Sequence, residues 1–368
     1  MEPTETSQSF APDRDQLIDL IGTMTIEEKI GQLLIFGYET VDDAEAVIRD
    51  IKPGGVILFG RNIQSAQQTR SDISRLQAVA AVSGGQPIRL FVSVDQEGGR
   101  VSRLPAESGL FESARELGIR DDPSGTFAYG KRTAAALIDL GINLDYAPVL
   151  DIDSNPLNPV IGDRSFGATA EGVTRHGLAM LAGLEAGGVI ACIKHFPGHG
   201  DTYVDSHIGL PVVSKSLADL EAFELQPFAA AIDDGTSMVM VAHLLITSMD
   251  QRPASLSPVL VDGMLRGKMG YQGVVITDDL TMGAVVENYS LGEAAIMAIE
   301  AGCDLLPVCH GTDRLRETQA VLVEAWRNGR LTDARIDQSV LRILQLKLKW
   351  LLVDKAADPV DVTDGTRG

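Results

Sequence analysis

GVIACIKHFPGHGDTYVDSH, residues 188–207, holds the change of character from which the chain is read. Its first six residues, Gly188 to Ile193, are apolar without alternation, the pattern of a parallel strand buried on both faces. The run stops at Lys194 and His195, and Pro197, Gly198 and Gly200 then forbid regular structure. The loop that follows carries His199, Asp201, Asp205 and His207, so three of the six histidines fall within thirteen residues. Titratable groups that dense on a loop behind a buried strand point to a site rather than a solvated connection. His195 and His199 stand four apart, a spacing that ligates zinc on a helix. Pro197 and Gly198 lie between them and break any helix, so a metal-free catalytic loop is favoured over a metal site.

Working outward, the same kind of apolar run recurs at a steady interval. Strands are expected at 32–37, 55–59, 88–94, 144–148, 189–193, 238–242, 274–277 and 304–308, each followed by room for a helix or loop. Thr25-Ile26-Glu27-Glu28 reads as a capping box that opens a helix. Strand–helix alternation repeated eight times predicts the α/β class and a single (β/α)8 TIM-type barrel over residues 15–353. Residues 1–14 and 354–368 are polar and aperiodic and are expected to be flexible tails. An open doubly wound sheet is the alternative, but no strand is followed by G-x-G-x-x-G, and Gly98-Gly99 has the wrong spacing.

A barrel places its active site at the C-terminal ends of the strands, on the βα loops. Polar residues gather at those ends here. Asp95-Gln96-Glu97-Gly98-Gly99-Arg100, continuing to Arg103, follows the third strand, and Gly162-Asp163-Arg164-Ser165 lies in the long loop after the fourth. The His-rich loop follows the fifth, His243 the sixth, and Asp278-Asp279 the seventh. A strand-end Asp is often only a helix cap, but five charged clusters at one end of five strands are harder to dismiss.

Thirty-one Lys+Arg against 51 Asp+Glu leave a net charge of −20. So acidic a surface argues against nucleic acid or an anionic membrane as partner and leaves a neutral ligand such as a sugar unopposed. No apolar run approaches the roughly 20 residues that span a bilayer. The first sixteen residues have neither a basic nor an apolar signal-peptide region. Cys192, Cys303 and Cys309 fall in apolar, strand-like contexts and read as buried free thiols. A reducing, cytoplasmic setting and a monomer are expected.

The segments MTIEEKIGQLL, VDQEGGRVSRL, APVLDI with IGDRSF, KHFPGHGDTYVDSH, VMVAHL and VVITDDLTMGAV together resemble the family-3 glycoside hydrolases. Within that family they resemble the bacterial beta-N-acetylhexosaminidases of peptidoglycan recycling. AGCDLLPVC and RIDQSVLRIL fit as well, so the resemblance covers nearly the whole chain. The KHFPGHG-to-DSH loop is its specific part, since other branches lack the Asp-x-His arrangement. The resemblance implies that Asp278, first aspartate of the T-D-D triplet, is the nucleophile, and that His207 is the general acid/base, oriented by Asp205. It implies that Asp95, Arg103, Arg164, Lys194 and His195 hold the hydroxyls of the terminal sugar. Asp279 competes with Asp278; strand alternation lets only one of the pair point inward, and the choice of Asp278 rests on the resemblance.

The implied activity is a retaining exo-beta-N-acetylglucosaminidase acting on small muropeptide-derived glycosides, with no cofactor and no metal. A carboxylate attacks the anomeric carbon while an acid protonates the departing oxygen. Histidine, with an ordinary pKa near 6.5, can give and retake that proton near neutrality. Other readings stay open. A phosphorylase on the same scaffold is one, since a neutral His base does not repel phosphate as a carboxylate would. A broader beta-glucosidase, a catalytically silent sugar-binding protein, and a metallohydrolase using His195, His199 and His207 are the rest.

Overall fold

The computed structural model describes residues 14–83, 88–206 and 209–351. All eight expected strands form: β1 Leu34–Gly37, β2 Gly55–Leu58, β3 Phe91–Val94, β4 Leu144–Asp145, β5 Ile190–Phe196, β6 Met238–Val241, β7 Val274–Thr277 and β8 Leu306–Val308. They pair in parallel in the order β8-β1-β2-β3-β4-β5-β6-β7. The ring is closed by a bridge between Ile276 and Leu305, where the Thr277 N–H donates to the Leu305 carbonyl at 3.1 Å. The chain is therefore a parallel (β/α)8-type barrel. The two expected tails lie outside the described residues, save Arg14, which opens the helix Arg14–Thr23.

The strands are mainly apolar because both faces are covered. Every residue of β1, β2, β3, β5, β6 and β7 is buried, at about 1.5–3 kcal/mol of transfer free energy for each large aliphatic side chain. Surrounding helices supply the second layer through one face each. Val41–Ile51, for example, buries Ala44, Val47, Ile48 and Ile51, the i, i+3, i+4, i+7 stripe, and Thr40 caps it through the Asp43 N–H. The expected capping box forms: Glu28 N–H donates to Thr25 Oγ1 at 3.2 Å and Thr25 N–H to Glu28 Oε2 at 2.9 Å. Such a cap contributes about 1 kcal/mol.

Most strands differ from the sequence reading by one to three residues at a boundary; β4, for instance, ends at Asp145 where 148 was expected. Residues 88–90 stay outside β3, because the Gln77 side-chain amide takes both backbone groups of Leu90, at 3.0 Å each. At the other extreme β5 runs on through Lys194, His195 and Phe196, which the apolar pattern placed beyond its end. Its pairing with β6 shifts register between Ile193 and Phe196. An irregularity of that kind re-aims side chains, and consecutive Lys194 and His195 both face the same cavity. An unexpected two-residue pairing, Val212–Val213 with Leu245–Ile246, ties the loop after β5 to the loop after β6. Cys192, Cys303 and Cys309 are buried and free. Among the described residues no helix is long and apolar enough to cross a membrane.

Candidate active site

The C-terminal ends of the strands surround a cavity of about 200 Å³. Phe59 follows β2, Asp95 and Glu97 follow β3, Tyr146 follows β4, Asp278 follows β7 and Cys309 follows β8, with Lys194 and His195 closing β5. Arg103 and Arg164 reach the same cavity from the loops after β3 and β4. Gln96, pointing away, supports the first of these loops. Its Oε1 accepts from the Arg103 and Leu104 N–H groups at 2.8 and 3.1 Å, and its own N–H donates to Asp145 at 2.9 Å.

One wall is an ionic quartet around buried Glu97 and Lys194. Lys194 Nζ donates to Asp95 Oδ1 and to Glu97 Oε1, both at 2.6 Å. Arg164 grips Glu97 with two parallel bonds, Nε to Oε2 at 2.7 Å and Nη2 to Oε1 at 2.8 Å. Burial alone would neutralise Glu97, but Arg164 and Lys194 outweigh it and hold the carboxyl far below the usual range. Lys194 is likewise disfavoured by burial, and Asp95 and Glu97 outweigh that and raise its pKa. Glu97, Arg164 and Lys194 are thus held in their charged forms.

A second wall turns on Asp151, which is wholly buried. Its Oδ2 pairs with His195 Nδ1 at 2.6 Å, and its Oδ1 accepts the His199 N–H at 2.6 Å and the His195 N–H at 3.3 Å. His195 Nε2 stands 3.3 Å from Arg164 Nη2, which can only donate. The network thus assigns the proton to Nδ1 and leaves Nε2 as an acceptor. Burial pushes Asp151 up, but His195 and the His199 N–H bring the carboxyl below its ordinary value.

His199 has a different part. Thr202 Oγ1 donates to the His199 carbonyl at 3.1 Å, so it accepts from Nδ1 at 2.9 Å, and Ser206 Oγ faces Nε2 at 3.3 Å. Burial, then the neighbouring His195, lowers its pKa to about 4. A neutral imidazole tied at both nitrogens anchors the loop rather than working in the cavity. Asn158 stitches the same loop to the one after β4, donating to His199 O at 2.8 Å and to Gly200 O at 3.0 Å. Two glycines make this folding possible. Gly198 has φ +123°, and a Cβ at Gly200 would overlap the Ile152 carbonyl oxygen. Asp201 leaves the cavity altogether and pairs with Lys215 at 2.9 Å.

The end of β7 separates the two aspartates. Both border the cavity, so alternation does not choose between them: they lie past Thr277, where the strand has ended. Their hydrogen bonds do distinguish them. Asp279 Oδ1 accepts from the Thr281 and Cys309 N–H groups at 2.9 and 3.1 Å, and Oδ2 from Thr281 Oγ1 at 2.6 Å. Among the described residues Asp278 accepts one bond, the Asp279 N–H on Oδ1 at 2.8 Å. Burial raises the Asp278 pKa, and His243, His195, the Asp279 N–H and Lys194 more than reverse it, leaving the carboxylate ionised. His243 is held between Ser255 Oγ at 2.7 Å and the Asp279 carbonyl at 3.0 Å.

His207 lies outside the described residues. Ser206, its neighbour, lines the cavity, and its carbonyl accepts the Ala284 N–H at 3.1 Å, beside the Asp278 loop. On the other side the Gly209 N–H donates to the Asp205 carbonyl at 3.0 Å. Among the described residues no group of three or more His, Cys, Asp and Glu is placed to hold a metal ion.

The Glycosyl hydrolase family 3 N terminal domain matches residues 25–346 of this sequence. The chain belongs to glycoside hydrolase family 3. It is 34% identical over 349 residues to a Beta-hexosaminidase of Neisseria meningitidis serogroup C, covering 90% of this chain and 95% of that one. Beta-hexosaminidase A of Pseudoalteromonas piscicida is 37% identical over 320 residues, and there the match spans 80% of this chain but about half, 53%, of the relative. Among solved structures, a glycoside hydrolase family 3 beta-N-acetylglucosaminidase from Paenibacillus sp. str. FPU-7 superimposes with a TM-score of 0.88 at 40% identity, covering 94% of this chain and 66% of that one. A Beta-N-acetylhexosaminidase from Beutenbergia cavernae gives 0.83 at 33% identity, covering 88% and 98%.

In this family-3 chain the fold gathers Asp95, Arg103, Arg164, Lys194, His195 and Asp278 around one cavity. The sequence reading did not single out Glu97, which holds Lys194 and Arg164, or Asp151, which holds His195 and the His199 N–H. Glu97 carried a signal, standing two residues from Asp95 in the same loop. Asp151 carried a weaker one, ending the APVLDI run. Tyr146, Met282, Cys309 and His310 also border the cavity and gave no sign in sequence.

Proposed function

We propose that this chain is a retaining exo-beta-N-acetylglucosaminidase in which Asp278 is the nucleophile, His207 the general acid/base and Asp205 the residue that orients it. The observation carrying the reading is the inequality of the two aspartates. Asp279 is consumed by Thr281 and Cys309, whereas Asp278 is an ionised carboxylate at the cavity with, among the described residues, a single donor on one oxygen. In the first step an Asp278 oxygen bonds to the anomeric carbon as the glycosidic C–O bond breaks, and His207 gives its proton to the departing oxygen. In the second, His207 takes a proton from water, whose oxygen displaces Asp278. A cavity of about 200 Å³ suits one sugar residue, which supports exo action.

Asp95, Arg103, Arg164, Lys194 and His195 hold the ring hydroxyls. Because Lys194 and Arg164 are already bonded to carboxylates, they need little reorganisation on binding, which is where positioning gains its effect. His195 Nε2 faces the Arg164 Nη2 donor at 3.3 Å, so it accepts from a sugar hydroxyl only in exchange for that contact. The relatives' names support the 2-acetamido sugar; small muropeptide-derived glycosides, a cytoplasmic setting and a monomeric single barrel with two tails complete the reading. A fluorinated sugar with a good leaving group tests it: mass spectrometry of the digested protein should find the adduct on Asp278. An adduct on Asp279, or none from an active enzyme, refutes the assignment. Aryl N-acetylglucosaminide and aryl glucoside compared side by side, with and without phosphate, test sugar and acceptor together.

A further inference from the structure

The cavity proposed for the sugar has two unlike sides. Asp95, Glu97, Lys194 and Arg164 form the charged one, reached from β3, β5 and the loop after β4. The side around β7 and β8 differs: beside Asp278 it is lined by Met282, Cys309 and Phe59, with His310 among them. β8 closes the ring against β7, and His310 stands two residues past its end. That brings it next to the Asp278 loop.

His310 differs from the other histidines. Its Nε2 is 4.0 Å from Asp279 Oδ2, too long for a hydrogen bond, and that oxygen already accepts from Thr281 Oγ1 at 2.6 Å. Every other described histidine has a nitrogen in a hydrogen bond: His176 with Thr126 Oγ1 at 2.8 Å, and His195, His199 and His243 as described above. His310 has none among the described residues. Its ring is held by stacking on Phe59, with centroids 5.4 Å apart and planes at 25°. Phe59 is itself fixed: its N–H donates to Asn62 Oδ1 at 3.0 Å, and the Arg61 guanidinium lies 4.7 Å from its ring centre. An imidazole fixed through its ring, with both nitrogens open, offers a donor and an acceptor to a ligand.

Resting on the reading that Asp278 attacks a 2-acetamido sugar, we propose that His310 is the residue that recognises the acetamido group. Its ring N–H donates to the acetamido carbonyl, and Phe59 and Met282 cover the methyl. The acetamido group is carried on C2, the ring atom bonded to the anomeric carbon that Asp278 attacks, so it lies beside Asp278 rather than across the cavity. The largely apolar surface there suits an uncharged amide provided its carbonyl finds a donor, and His310 supplies one. The C2 hydroxyl of a glucoside has neither a methyl to cover nor a carbonyl to accept that N–H, so His310 discriminates between the two sugars.

The test is kcat/KM for an aryl N-acetylglucosaminide and the matching aryl glucoside, measured on the wild type, His310→Phe and His310→Ala. Phenylalanine keeps the stack on Phe59 and removes the nitrogens. His310→Phe should lower kcat/KM on the N-acetylglucosaminide about tenfold, the worth of one hydrogen bond, and lower the ratio between the two substrates by about the same factor. His310→Ala, which also removes the stack, should lower that ratio at least as far. The His310 side chain is 55% exposed, so neither change threatens folding, and an unchanged urea midpoint verifies this. A ratio within about twofold of the wild type in His310→Phe, whether or not activity falls, overturns the inference and leaves the sugar reading standing. A wild type that turns over both glycosides equally overturns the sugar reading and this inference with it, while the trapped adduct still decides the nucleophile.

Discussion

Lys347 offers the most quantitative perturbation in the molecule. It is 2% exposed, its Nζ donates to Gln32 Oε1 at 2.9 Å, and it stands 4.9 Å from the centre of the Phe91 ring. No carboxylate pairs with it among the described residues. Burial therefore lowers its pKa from 10.5 to about 7. The unfolded chain then binds more protons than the folded one between about pH 7 and 10.5, so this group makes stability rise with pH across that window. The penalty is fully present below about pH 7 and gone above 10.5. At 1.36 kcal/mol per pH unit it amounts to about 4 kcal/mol at pH 7 and about 2 kcal/mol at pH 9.

Lys347→Met removes the penalty and leaves the Gln32 acceptor short of a donor, a loss of about 1–3 kcal/mol. The variant should be more stable than the wild type by about 1–3 kcal/mol at pH 7, and that margin should shrink by about 2 kcal/mol at pH 9. Urea unfolding at both pH values reads the two quantities, provided the transition slope is unchanged. The shrinkage is the sharper measure, because the Gln32 loss is the same at each pH and cancels. A margin that stays constant from pH 7 to 9, or a variant less stable than the wild type at both, refutes the reasoning.

The remaining predictions concern the site. Asp278→Asn should reduce turnover to the blank, whereas Asp279→Asn, which disturbs the Thr281 and Cys309 contacts, should cost about 1–3 kcal/mol of stability and retain activity; the reverse order in a kinetic assay refutes the assignment. Asp151→Asn should release His195 from its tautomer and lower kcat/KM about 10- to 100-fold, the worth of a charged hydrogen bond, equally for good and poor leaving groups. A change under about twofold would mean that Asp151 does not act through His195. His207→Ala should lose about 10²- to 10⁴-fold on a disaccharide and show a burst of phenol on an activated aryl glycoside; equal slowing of that burst for all leaving groups makes His207 a binding residue.

What the sequence discloses about this barrel follows from how far each signal reaches. An unbroken apolar run such as Val274–Thr277 is self-contained, because a strand covered on both faces needs no partner to explain its composition; all eight strands were legible for that reason. Asp95 and Lys194 were legible as strand-end polar residues, and the barrel alone brings them to one place. Their mutual use was not, since the Lys194 link to Asp95 spans 99 residues and rests on a register shift in β5 that leaves no mark on composition. Glu97 and Asp151 were missed for a related reason: their function is to hold other functional groups, and one-dimensional spacing does not record which cation a carboxylate will face. The same holds for Asp278 and Asp279, adjacent and identical in type. Alternation could not separate them because the strand ends at Thr277, and only the donors arriving from Thr281 and from Cys309, thirty residues on, show which carboxyl is already engaged. A site built from loop ends therefore shows in sequence as strand-end polar residues, while the donors each carboxyl meets are read only from the fold.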